Sequence, residues 1–133
     1  MTLTKFDIQK TLNKTVAFNS IVPIGNFDFD EDYRVLRLNN HTFELRNKLF
    51  SIMSFLAYSD GKLIPRDVII NSIWRNNEHV GQKSLTHSIC MLRKIFNQDP
   101  EQSVQIITIS KTGYRLVVNN VASAITKEIV TQD

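Results

Sequence analysis

The side chains of this chain with a capacity for chemistry are His41, His79 and His87, the single cysteine Cys90, and a run of carboxylates, Asp30-Glu31-Asp32. His87 and Cys90 stand three residues apart, a spacing that lets two side chains of one helix face meet a metal ion. Two ligands do not make a zinc site, and no further cysteine exists to complete one. Three adjacent carboxylates cannot converge on one cation without a loop that folds back on itself, so the acidic run reads as a solvated turn. Catalysis needs a nucleophile, a base and an orienting group in one place. The histidines and the cysteine are instead spread over a predicted strand, a loop and a helix. No catalytic residue, metal site or cofactor is expected, and the chain does not read as an enzyme.

A second kind of chemistry, the neutralisation and reading of a polyanion, fits the residues better. In residues 84–96, Leu85, Ile89, Leu92 and Phe96 recur at helical spacing as one buried stripe. Ser84, His87, Ser88, Met91 and Lys94 are read on the opposite face, which carries hydrogen-bonding and basic groups and little acid. Such a face can meet base edges and phosphates in a duplex groove. Taken alone it is equally compatible with an ordinary solvated surface. Two β-branched runs follow, 104–109 and 114–118, flanking Ser110-Lys111-Thr112-Gly113. They predict a β-hairpin with Lys111 at its tip, Arg115 at the start of its second strand and Gly113 free to take a positive φ.

Charge placement agrees with this. The 133 residues carry a net charge of only +3. Residues 1–60 balance, whereas residues 83–115 hold Lys83, Arg93, Lys94, Lys111 and Arg115 against Asp99 and Glu101. Clustered cations give salt-dependent affinity, because each neutralised phosphate releases counterions. One cysteine permits no internal disulfide, which suits a reducing compartment. No apolar run is long enough to span a membrane and no leader is evident, so a cytoplasmic location is expected.

The elements that must position these residues are also legible. Residues 1–23 read as a tail. Extended runs follow from Ile24, at 34–38, and at 41–45, with Asn39-Asn40 as a tight turn; they predict a small antiparallel sheet. Residues 47–58 read as a helix, with Leu49, Ile52, Met53 and Leu56 inward and Gly61 as a left-handed cap beyond it. Leu63-Ile64 is a short link. Pro65 opens a second helix, packed by Val68, Ile69, Ile70, Ile73 and Trp74. A polar loop at 76–82 precedes the third helix, and residues 119–133 read as a tail or linker.

In this order the pieces resemble the OmpR/PhoB-type winged-helix transcription factors, and more closely the cytoplasmic DNA-binding domains of CadC- and ToxR-like regulators. The resemblance rests on residues 60–67 (Asp-Gly-Lys-Leu-Ile-Pro-Arg-Asp), Ile73-Trp74, residues 84–89 with Leu92-Arg93-Lys94, and Ile107-Thr108 with residues 113–116. It covers residues 24–118. It implies an α+β winged helix-turn-helix: an N-terminal antiparallel β-sheet of four strands, three helices and a C-terminal β-hairpin wing. The reading of the residues themselves supplies only three of those strands.

The resemblance also implies double-stranded DNA as partner and a bacterial transcriptional regulator as function. It places Lys83, Ser84 and Ser88 at the phosphate backbone, with Trp74 near it from the second helix. Thr86, His87 and Met91 would face base edges, Arg93 and Lys94 the far strand, and Lys111, Thr112 and Arg115 would act from the wing. The loop 76–82 sits where relatives touch RNA polymerase. Cys90-Met91 stands where many relatives have two arginines, which implies weak or shape-dependent specificity, with A·T-rich DNA as the candidate. Relatives of the CadC/ToxR type continue into a membrane helix, which is not expected within this chain. The competing expectation is a winged helix used for protein binding.

Overall fold

The structure, a computed structural model, describes residues 20–119. Of the tails read at 1–23 and 119–133, residues 1–19 and 120–133 lie outside the described residues. Alternation of Phe27 and Phe29 with aspartates starts a sheet that has four antiparallel strands in sequential order: β1 (Ile21–Ile24), β2 (Phe27–Asp30), β3 (Val35–Leu38) and β4 (His41–Glu44). β1 falls partly inside the stretch read as tail. Its Pro23 argues against a strand, but β1 is an edge, where a missing N–H costs no ladder bond. Gly25 and Asn26 close the first hairpin, with Gly25 at φ +56°. Asn39, at φ 55°, closes the hairpin between β3 and β4, in agreement with the Asn-Asn turn.

The acidic run is not simply solvated. Asp30 is buried, at 3% exposure, and accepts from Arg37 Nη1 at 2.7 Å and from the Tyr33 N–H at 3.1 Å. Burial alone would raise its pKa. The Arg37 and Tyr33 bonds outweigh that penalty and hold the carboxyl below its ordinary value.

Three helices follow: α1 (Asn47–Ala57), α2 (Arg66–Ile73) and α3 (Glu78–Phe96). Leu49, Ile52, Met53 and Leu56 form the buried stripe of α1. Pro65 is the N-cap residue of α2 rather than part of its first turn, and Asp67 complements the helix dipole. Ile69 and Ile70 are buried there, while Val68 faces solvent. α3 begins six residues before Ser84, so most of the loop read at 76–82 is helix. The link between α2 and α3 is residues 74–77. Asn77 caps α3 through its Oδ1, which accepts from the Val80 N–H. Gly81 allows α2 and α3 to cross closely: a Cβ there would lie 2.7 Å from Ile70 Cγ2 and 3.2 Å from Trp74 Cβ.

The wing strands are β6 (Val104–Ile109) and β7 (Gly113–Val118), as the two β-branched runs predict. They form a three-stranded sheet, because the link β5 (Ile64–Pro65) pairs with β7 in the order β5-β7-β6. Gly113 does not adopt a positive φ; Lys111 does, at 55°. Glycine is required at 113 for a different reason, since a Cβ would collide with the Ile64 carbonyl. One core joins all layers. Phe27 of the first sheet meets Phe96 of α3 edge to face, with ring centroids 5.3 Å apart. Each fully buried ring of this kind contributes roughly 2–3 kcal/mol.

Candidate nucleic-acid interface

The buried stripe of α3 is the predicted one: Leu85, Ile89, Leu92 and Phe96 are all at or below 1% exposure. Fixing that stripe inward sets what the helix can present outward. Lys83, Thr86, His87, Cys90, Met91 and Lys94 are exposed, at the three- and four-residue steps of one continuous helical face. The nineteen residues of α3 make a rod about 28 Å long at ~1.5 Å per residue. Among the described residues, no carboxylate lies within ion-pair distance of Lys83, Lys94 or Lys111.

Several residues assigned to this surface lie elsewhere. Ser88 is buried and its hydroxyl donates to the Ser84 carbonyl at 2.8 Å, so it is not part of the outer face. At 3.6 residues per turn it flanks the Leu85–Ile89 stripe. Ser84 is half-buried. Trp74 is a core residue at 6% exposure, packed against Gly81 with Lys48 Nζ 5.6 Å above its ring. It supports the surface from below.

Arg93 is turned to the wing. Its Nε and Nη2 donate to the Ile106 carbonyl at 3.1 and 2.7 Å, and Nη2 also donates to Thr108 Oγ1 at 2.6 Å. Thr108 stands opposite Tyr114 in the ladder, so both side chains share the wing face that looks toward α3. Arg115, one residue on, occupies the other face, where its Nε donates to the Gly61 carbonyl at 3.1 Å. The Lys111 tip and Thr112 are exposed and line a cleft of about 180 Å³ with Arg66, Thr108, Ile109, Gly113 and Tyr114.

Arg66 had no site role in the sequence. Its guanidinium donates from Nε to Gln82 Oε1 at 2.7 Å, from Nη2 to the Gln82 carbonyl and to Thr86 Oγ1, and from Nη1 to the Tyr114 hydroxyl. The one available signal was a cation at the first position of α2, where helix electrostatics favour an anion. The Thr86 hydroxyl in turn donates to the Gln82 carbonyl at 3.1 Å. Its hydroxyl is therefore already engaged as donor and acceptor, which leaves its methyl group as the contact surface.

The base of the wing is held by a buried carboxylate. Asp99, 2% exposed, accepts from the Ser103 N–H and hydroxyl, from the Glu101 N–H and from the Asn26 amide. Burial would raise its pKa, but the Ser103, Glu101 and Asn26 bonds reverse the effect and hold it below the ordinary value. His41 lies on β4, and His79 and His87 are exposed on α3; among the described residues no three His, Cys, Asp or Glu side chains gather around one point. No helix of the described residues is long and apolar enough to cross a membrane.

Comparison with known proteins gives the same architecture. Residues 40–116 match the family model described as "Transcriptional regulatory protein, C terminal". The transcriptional regulatory protein RprY of Bacteroides fragilis is 26% identical over 110 residues, covering 83% of this chain and 46% of RprY. The transcriptional activator CadC of Escherichia coli is 29% identical over 99 residues, covering 74% of this chain and 19% of CadC. The solved DNA-binding domain of E. coli CadC superposes with a TM-score of 0.61 at 28% identity, covering 74% of this chain and 92% of that domain. The chain thus spans less than half the length of either full-length relative.

Proposed function

The chain belongs to the family of transcriptional regulatory protein C-terminal domains, the OmpR/PhoB-type winged helices related to CadC- and ToxR-like regulators, and on that premise we propose that it binds double-stranded DNA as the output domain of a bacterial transcriptional regulator. Domains of this family are not enzymes. In the proposed complex α3 lies in the major groove. Lys83 and Lys94 meet phosphates toward either end of the exposed face, and His87, Met91 and the Thr86 methyl meet base edges. The wing tip, with Lys111 and Thr112, lies on the neighbouring backbone or minor groove.

The observation that carries this reading is the exposed row from Lys83 to Lys94, whose lysines have no acidic partner among the described residues, on the same helix that Arg93 ties to the wing. A free basic face beside a basic ribbon suits a regular polyanion. Of the arginines beside this face, Arg93 is spent on the wing and Arg66 on Gln82, Thr86 and Tyr114. Base reading by guanidinium forks is accordingly sparse, and deformability of the duplex supplies part of the discrimination.

Fluorescence anisotropy of labelled duplexes at two ionic strengths tests the proposal. Three lysine–phosphate contacts would lower affinity on the order of fortyfold for a roughly fourfold rise in salt. Absence of binding at low salt, or binding indifferent to salt, would instead support a winged helix used on a protein partner.

A further inference from the structure

We infer that Arg66 is a positioning residue that sets the spacing and angle between α3 and the wing, rather than a ligand of the duplex. The inference rests on the DNA-binding reading for its consequence, though not for its geometry. Arg66 is the first residue of α2 and follows β5 directly, so its backbone is already in the wing sheet: its N–H donates to the Thr112 carbonyl at 2.8 Å. Its guanidinium reaches α3 at two successive turns, through Gln82 and Thr86, and reaches β7 through the Tyr114 hydroxyl. Nε and both terminal nitrogens are committed, and the planar fork fixes their directions. A lysine ammonium has neither the number of donors nor the shape.

A single tie would leave a pivot, but there are two. Seven residues after Thr86, Arg93 bonds Thr108 Oγ1 and the Ile106 carbonyl. Thr108 and Tyr114 are partners across the β6–β7 ladder. Two guanidiniums, one from α2 and one from α3, therefore converge on the two members of one cross-strand pair. Two ties on one pair fix an angle as well as a distance. A duplex has a fixed separation between its major groove and the adjacent backbone, so helix and wing can act together only if their separation is fixed too. Arg66 supplies that preorganisation.

The test combines a DNA-independent distance measurement with a double-mutant cycle. Spin labels on Cys90, the only cysteine of the chain, and on a cysteine introduced at Lys111 report the separation of helix and wing. The expected result is a narrow distance distribution with Arg66 present, broadened in Arg66→Gln and in Arg66→Lys alike, with Tyr114→Phe intermediate. An unchanged distribution in Arg66→Gln overturns the inference whether or not the protein binds DNA.

With duplex DNA, Arg66→Gln should weaken binding on the order of tenfold, as expected when a charge-assisted network is cut. Lys111→Ala should weaken the otherwise native protein but have almost no further effect in the Arg66→Gln background, because the wing no longer engages in register. Arg66→Lys retaining native affinity would show that charge alone matters and that Arg66 is a phosphate ligand. Equal effects of Lys111→Ala in both backgrounds would overturn the positioning role. Failure of the unsubstituted chain to bind any duplex would sink the DNA reading while leaving the distance result to decide on Arg66.

Discussion

The carboxylate of Asp99 accepts hydrogen bonds from the side-chain amide of Asn26, 73 residues earlier, and so ties the first hairpin to the loop between α3 and the wing. Ser103 and Glu101 complete its shell, and its pKa is lowered despite burial. Asp99→Ala should destabilise the fold by about 2–4 kcal/mol, because it leaves the buried N–H and hydroxyl of Ser103 without their acceptor and removes one of the two carboxylates that hold the Asn26 amide. Chemical denaturation near neutral pH checks this. A group with a depressed folded pKa contributes stability above its unfolded pKa and loses it as pH falls through the folded value. The gap between native protein and Asp99→Asn should therefore be full at neutral pH and close in the acid range below ordinary carboxylate values.

Cys90 sits in the middle of the exposed row of α3. Alkylation with a bulky maleimide should abolish duplex binding and leave the melting temperature within a few degrees of native. Retained binding by a fully labelled protein would move the interface off this face.

Lys94→Glu and Lys111→Glu should each weaken binding to all duplex sequences alike and reduce the steepness of the salt dependence by about one to two phosphate equivalents. His87→Ala should change the ranking of sequences more than the average affinity, by about 1–3 kcal/mol at the base pair it meets. Competition binding against a randomised duplex pool separates the two effects. Ser88→Ala is the internal control: its hydroxyl is used within α3, so DNA affinity should stay within about twofold of native, less than the ~0.5 kcal/mol scatter of substitutions away from a site.

Gly81→Val should lower stability by roughly 1–3 kcal/mol, since α2 and α3 have no room for the branched side chain. Thermal unfolding checks it. A milder loss would mean that the helices can separate at Trp74 without disturbing the core.

Local periodicity carried much of this fold in readable form. The stripe Leu85–Ile89–Leu92–Phe96, the strands of the wing and the Asn39-Asn40 turn each follow from a few neighbouring residues. What depends on distant partners was not legible. The start of α3 looks like a loop because Glu78, His79, Gln82 and Lys83 are polar and Gly81 is a poor helix former; Gly81 is there for the approach of α2. β1 was hidden by Pro23, which only an edge strand tolerates.

Helical spacing makes the outer face legible at His87, Met91 and Lys94; it overreaches at Ser84, which is half-buried, and at Ser88, where a small polar residue packs inside by bonding to its own helix. The assignments of Trp74, Arg93 and Arg115 came from resemblance to the family. Their side chains are committed to the core, to the wing backbone and to Gly61, partners that no local pattern announces. The hairpin pattern points to Gly113 for its conformational freedom, whereas the position needs glycine for the nearness of the Ile64 carbonyl.

The β5–β7 pairing has a kinetic consequence. The four strands of the first sheet are joined by short turns and can zip together cheaply, whereas β5 must find β7 after nearly fifty residues of chain have closed, as the separation of 48 between Arg66 and Tyr114 indicates. Loop-closure entropy thus predicts that this junction forms late in folding and opens early in unfolding. A duplex held by helix and wing together would bind only molecules in which that event is complete, and bound molecules should unfold more slowly than free ones.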